Sequence, residues 1–358
     1  MSQLSAHPIA AQENSSLMAA ARAELQSLWQ RGCDFLGVDI AILGGGMTWV
    51  SERNLVAAIS NAGGFGVIAC GAMDPARLAQ EIEGTYALTG RPFGVNLITM
   101  HPQLEELIDV CADLRVQHVV LAGGLPPSAA VRKIKDSGAK AICFAPALVL
   151  AKKLIRIGAD ALIIEGMEPG GHTGPVTTSV LAQEILPAIR EVPVFVAGGI
   201  GRGEAIASYL EMGAAGVQLG TRFVCATESI AHPNFKKAFI RAEARDATLS
   251  VQLDPRFPVI PVRAIANAGT RRFTDIQREV IAKVDAGLLD QKAAQLEIEH
   301  FWAGALRRAV VEGDVENGSL MAGQSVGLVK SEQPVAEILA ELIAQAETAL
   351  MRRREARG

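Results

Sequence analysis

Short uninterrupted apolar runs alternate with longer stretches of helical periodicity along most of this chain. The runs fall at 38–43, 65–70, 93–97, 118–121, 139–145, 161–165, 192–197 and 216–219. Between them, apolar positions recur every three to four residues at 52–61, 75–88, 103–114, 128–137, 148–157, 179–190 and 204–212. A run with no polar alternation predicts a strand buried on both faces. Strands separated by helices predict parallel pairing through crossovers. Eight such units between residues 38 and 219 fit an α/β fold of the closed (β/α)8 TIM-barrel type. An open doubly wound sheet more often has about five to seven strands and binds its ligand at a switch point.

The pattern changes at both ends. Residues 1–31 predict a loose leader and then a helix over 18–30, and the barrel occupies 32–225. After the eighth strand, 226–312 reads as a small, mostly helical layer on the substrate side of the mouth, interrupted by a Pro-rich stretch at 253–262 (LDPRFPVIPV). Residues 313–358 predict a Gly-rich closing loop followed by a charged helix over 334–354, outside the barrel, where it could join a homodimer.

Composition narrows the possibilities. Of 358 residues, 49% are hydrophobic and 4% aromatic, an aliphatic bias suited to stacked helices and strands. A net charge of -4 offers no basic surface for nucleic acid. The apolar runs are too short to span a membrane, and the N-terminus lacks the charged, apolar and small-residue order of an export signal, so a cytoplasmic protein is expected. Cys33, Cys70, Cys111, Cys143 and Cys225 are scattered and form no CxxC pair, so they read as buried apolar residues, with neither disulfides nor a metal site.

In such a barrel, chemistry sits in the loops that follow the strands. Those loops hold Gly45-Gly46-Met47 after strand one, Asn96 at the end of strand three, and Glu165 at the end of strand six, leading into Gly170-Gly171-His172. Gly198-Gly199 follows strand seven and Gly220-Thr221 follows strand eight. Glycines in these last two loops let backbone N–H groups approach a phosphate, although the same glycines also make tight turns. His172 lies between glycines in a loop rather than in a periodic apolar segment, as suits a proton-transfer group. Glu165 could bind a hydroxyl or orient its loop, and Asn96 could hydrogen-bond a heterocycle or cap a turn.

The motifs GGMTWVSE (45–52), SNAGGFGVI (60–68), PFGVNL (92–97), GADALIIEGMEPGGHTG (158–174), VFVAGGI (194–200), GVQLGTRFVCATES (216–229), AHPNFK (231–236) and GDVENGSLMAGQ (313–324) occur in this order. Together they give a chain that, over 32–329, resembles the nitronate monooxygenase (2-nitropropane dioxygenase-like) superfamily of FMN enzymes, which includes the flavin-type enoyl-[acyl-carrier-protein] reductase II. The resemblance implies FMN at the barrel mouth. Gly198, Gly199, Gly220 and Thr221 would take its phosphate. Gly45, Gly46 and Met47 would lie against the isoalloxazine, with Asn96 near the ring and Glu165 near the ribityl chain. Gly170 and Gly171 would border the pocket, and Gly323 and Gln324 would close it. His172 would be the active-site base.

Two chemistries follow from this resemblance for a small-molecule substrate. In one, a nitronate or nitroalkane reduces the flavin and O2 reoxidises it. In the other, NAD(P)H reduces it and an enoyl thioester, on acyl carrier protein for instance, is reduced in turn. GGM, AHPN and MAGQ lean toward the reductase, and Cys143-Phe144-Ala145-Pro146 stands where some nitronate oxidisers carry a lysine. The stretch 251–263 and the first strand, DIAILGGG, depart from the reductase pattern, and the commoner assignment in the superfamily tips the expectation to nitronate oxidation. A barrel that binds a phosphorylated ligand without catalysis is a third reading.

Overall fold

The computed structural model describes residues 8–256 and 261–356. A long helix α1 (Pro8–Leu36) leads into alternating strands and helices: β1 (Ile42–Gly44), α2 (Arg53–Asn61), β2 (Gly66–Ala69), α3 (Pro75–Leu88), β3 (Phe93–Ile98), α4 (Leu104–Asp113), β4 (His118–Ala122), α5 (Ser128–Asp136), β5 (Lys140–Phe144), α6 (Leu148–Arg156) and β6 (Ala161–Glu165). A two-residue strand β7 (Gly171–His172) precedes α7 (Thr178–Ile185), β8 (Val194–Ala197), α8 (Gly203–Glu211), β9 (Gly216–Leu219), α9 (Thr221–Val224) and α10 (Pro233–Arg241). Then come β10 (Ala247–Leu249), β11 (Val262–Ile265), α11 (Ala268–Asp285), α12 (Gln291–Arg307) and α13 (Val335–Glu355).

Eight strands pair in parallel in the order β1-β9-β8-β6-β5-β4-β3-β2, and a bridge between Leu43 and Phe65 joins the first to the last. This is the expected TIM barrel. Residues paired across a parallel ladder share a face, and the register therefore sorts inside from outside. Asn96 lies opposite Val120, Glu165 opposite Ala197, and Gln218 opposite both Ala197 and Leu43. Leu43, Val120 and Ala197 belong to the interior cluster with Phe65, Ile142, Ile163 and Phe195. Asn96, Glu165 and Gln218 therefore cap the apolar interior with polar groups at the strands' C-terminal ends.

The opposite end is stoppered by α1. Phe35, Leu36 and Val38 join the interior cluster from below. The Phe35 carbonyl accepts hydrogen bonds from His118 Nε2 at 3.0 Å and Lys140 Nζ at 2.9 Å. A carbonyl can only accept, so the His118 proton resides on Nε2. Its Nδ1 is buried with no partner among the described residues, and a second proton there would place an uncompensated charge in the core. Burial, reinforced by the Lys140 charge, lowers the His118 pKa from 6.5 to about 4. The neutral form is the one that folds, so this stabilisation is present at neutral pH and is lost as pH falls from 6.5 through about 4. It amounts to about 3 kcal/mol. Denaturant unfolding of wild type and His118→Phe between pH 7 and pH 4 should show the steeper acid loss in wild type; equal slopes would remove His118 from the pH response.

Elsewhere the structure revises the sequence expectations. Helix α1 extends well beyond 18–30, and α7 stops at Ile185 instead of continuing to 190, because Pro187 has no N–H to extend the ladder. Within 226–312, beside α10, α11 and α12, β10 and β11 join β7 in a three-stranded antiparallel sheet of order β10-β11-β7. Of the Pro-rich stretch 253–262, residues 257–260 lie outside the described residues. Helices α11 and α12 bury a small core of their own, Phe273, Val280, Ala294 and Ile298. Helix α13 packs along α1 and α8, with Glu347 paired to Arg22 at 2.9 Å. All five cysteines are free and buried, and burial raises their thiols, Cys33 to about 11. Among the described residues no helix is long and apolar enough to cross a membrane, and no group of three or more acidic, His or Cys side chains could hold a metal.

Candidate active site

The rim is assembled first by backbone. After β1, Gly45 N donates to Leu219 O at 2.8 Å, which fastens this loop to the end of β9. Ser51 Oγ donates to Gly45 O at 2.7 Å and accepts from Met47 N at 3.1 Å, fixing the turn. Gly46 faces Asn96 so closely that a Cβ would lie 2.8 Å from the Asn96 Cβ and Cγ. Met47 lies over Gly220, with its Sδ 3.4 Å from where a Cβ would stand. In the same loop Trp49 takes φ +69, a conformation a bulky residue adopts only under constraint, and the Arg307 guanidinium lies 5.8 Å from its ring centroid.

The other half of the rim is tied by the segment before α13. Gly323 N donates to Thr221 Oγ1 at 3.0 Å, and Gln324 N donates to Glu168 O at 2.9 Å. Gly170 abuts Ala322, whose carbonyl carbon would be 2.6 Å from a Cβ at 170. Gly198 and Gly199 have φ +93 and +74. Beside them opens a cleft of about 420 Å3, lined also by Glu168, Tyr209, Glu243 and Gln324. The Glu168 carboxylate turns to the start of α7, accepting from Thr178 N at 2.9 and 3.1 Å and from Thr178 Oγ1 at 2.8 Å, so the helix N-terminus answers its charge. No acceptor for the N–H groups of Gly199, Gly220 or Thr221 is found among the described residues.

Inside this rim lie the three polar caps of the barrel. The Glu165 carboxyl has no hydrogen-bond or ion-pair partner among the described residues, and burial alone raises its pKa to about 8. At neutral pH it is mostly a neutral acid able to donate as well as accept. Gln218 stands two strands away, roughly 10 Å by strand spacing. Sequence reading passed over Gln218 by absorbing it into an apolar strand. The signal was there: a side-chain amide in a run otherwise buried on both faces.

His172 stands on the rim at the end of β7, exposed to solvent. The structure places it in a short strand rather than in an irregular loop: it pairs with Val262, and Thr173 N donates to Pro261 O at 3.0 Å. Gly174 N closes the segment by donating to Gly166 O at 3.1 Å. The loops that carry the sequence-predicted residues thus meet around one mouth. Backbone donors with no acceptor among the described residues and positive-φ glycines lie on the β8–β9 side, amides and a neutral carboxyl below, and an imidazole on the β6 side. This arrangement suits a ligand with an anionic end and a planar heterocyclic body, and proton transfer beside it.

A family model described as nitronate monooxygenase matches residues 30–113 and 103–345. A (3aS,4S,5R,7aS)-5-hydroxy-7a-methyl-1-oxo-octahydro-1H-indene-4-carboxyl-CoA dehydrogenase of Rhodococcus jostii (strain RHA1) is 31% identical over 336 residues, covering 87% of this chain and 94% of that protein. A nitronate monooxygenase of Paraburkholderia phytofirmans is 28% identical over 359 residues, covering 86% and 92%. The solved structure of FabK from Thermotoga maritima superposes with a TM-score of 0.82 at 36% identity, covering 91% of this chain and 98% of that one.

Proposed function

The chain belongs to the nitronate monooxygenase family of oxidoreductases, and from that premise we propose that it uses FMN to oxidise or reduce a substrate at the carbon next to an electron-withdrawing group, with a thioester as that group. FMN, when bound, supplies the acceptor and donor of the hydride. The residues present fit it. The N–H groups of Gly199, Gly220 and Thr221 answer the phosphate, and Gly45, Gly46 and Met47 give the ring a close, apolar approach. Asn96 and Gln218 offer amides to the ring edge, and Glu165 can donate to a ribityl oxygen. Gly170 and Gly171 border the pocket, and Gly323 and Gln324 close it against Thr221 and Glu168.

The observation that carries this reading is the meeting of these unsatisfied donors with His172 on one rim. The imidazole of His172 can take a proton from the substrate's α-carbon, which an adjacent carbonyl acidifies, or as imidazolium return one to that carbon when hydride is delivered to the β-carbon. The thioester reading is supported by the carboxyl-CoA named for the Rhodococcus relative, with coenzyme A or an acyl carrier protein as the carrier and NADH or NADPH as the reductant. A second reading, nitronate oxidation with O2 as acceptor, is supported by the family model and the Paraburkholderia relative. There the same imidazole would take the α-proton of a nitroalkane.

Anaerobic mixing of the FMN-loaded protein separates them. NADH or NADPH should bleach the flavin, and a crotonyl thioester should restore its absorbance. Bleaching by 2-nitropropane or propionate 3-nitronate but by neither nicotinamide would favour the second reading. Absence of bleaching by any of these would sink both. A protein that takes up no FMN would leave a barrel that binds some other phosphorylated ligand.

A further inference from the structure

Between the end of β6 at Glu165 and the start of α7 at Thr178, the segment that carries His172 is held largely by residues that follow the last barrel strand. His172 pairs with Val262 and Gly171 with Arg263. Thr173 N donates to Pro261 O at 3.0 Å, and Gln324 N donates to Glu168 O at 2.9 Å. At the centre of this brace lies Arg263, which is buried. Its Nε and Nη2 donate to Met167 O at 3.0 and 2.8 Å, and its Nη1 donates to Ala247 O on β10 at 2.5 Å. One guanidinium therefore links the first turn of the His172 segment to two strands of the small sheet. A planar fork that bonds two carbonyls, Ala247 O buried and Met167 O half-buried, fixes both in distance and direction, which a lysine ammonium would not.

We infer that Arg263 is a positioning residue for His172, and that the chain beyond the barrel, acting through it, sets where the imidazole stands over the mouth. The inference rests on the reading of His172 as the proton-transfer group. It makes the segment beside the substrate opening the same one that locates the acid–base group, so a contact on β11 is transmitted to the imidazole.

The test uses the FMN-loaded enzyme with Arg263→Gln, Arg263→Lys, His172→Ala and the His172→Ala/Arg263→Gln double variant. Arg263→Gln should keep its flavin and lower kcat about 10- to 100-fold, with KM much less affected, as expected when a reacting group is misplaced. Arg263→Lys should recover little of the loss, and added guanidinium at non-denaturing concentration should restore part of it. In the His172→Ala background, Arg263→Gln should cost nothing more. An equal further loss there, or wild-type turnover in both Arg263 variants, would overturn the inference. Hydrogen exchange gives a readout free of catalysis. Amides 170–174 should exchange faster in Arg263→Lys than in wild type while the barrel strands do not change, and unchanged exchange at 170–174 would likewise overturn it. If His172→Ala leaves turnover intact, the reading of His172 falls, and the exchange measurement still decides whether Arg263 holds the segment.

Discussion

A His172→Ala enzyme should fold, keep its FMN and turn over about 10²–10⁴-fold more slowly, the usual worth of a positioned general acid or base. Retention of fold follows from geometry. The imidazole is exposed at the end of β7, while the pairing of β7 with β11 and the Thr173–Pro261 bond are made by backbone. Retention of flavin follows because the donors proposed for the phosphate are backbone N–H groups at the ends of β8 and β9, which the substitution leaves in place. The measurement is a stopped-flow half-reaction with the substrate that reduces or reoxidises the wild-type flavin, alongside the flavin-to-protein ratio. Turnover within a few-fold of wild type would remove His172 from the mechanism, whichever substrate proves to be the right one.

Replacing Gly199 with leucine should have the complementary effect, an empty protein with its imidazole intact. Gly199 sits at φ +74, where a side chain is strained, and a Cβ would lie 3.0 Å from the Glu168 Cβ. Glu168 cannot retreat easily, because its carboxylate is bound to Thr178 N and Oγ1 and its carbonyl to Gln324 N. The loop has to move, and its N–H moves with it. Losing that one charge-assisted hydrogen bond, at about 1.5–3 kcal/mol, weakens FMN binding by roughly 10–10²-fold. Purification without added cofactor, followed by titration of flavin fluorescence, reads this directly. Wild-type affinity in Gly199→Leu would show that the phosphate lies elsewhere.

What the sequence disclosed depended on how local the cause was. The apolar runs at 161–165 and 216–219 coincide with β6 and β9, because strands buried on both faces and ended by Gly announce themselves. The first run, 38–43, begins too early: Val38 is apolar because it helps to stopper the barrel, while the strand starts at Ile42. Helix α1 runs on past the expected end at 30, through Gly32. In the structure a Cβ at 32 would fall on the Ala215 carbonyl, so the glycine serves close helix–strand contact and the helix continues to Leu36. The sheet of β7, β10 and β11 left no such trace. Its strands are two to four residues long, and His172 finds its partner Val262 far along the chain. No window of local periodicity contains both. The same distance hid Arg263, which reads as one more arginine until Met167 O and Ala247 O are seen on either side of it.

The stopper formed by Phe35, Leu36 and Val38, together with the apolar layers above it, closes the lower end of the barrel among the described residues. Reductant and oxidant in the proposed reaction cannot approach a flavin from opposite ends. Both would enter from the same side, and two bulky reactants would then compete for one vestibule when either is in excess.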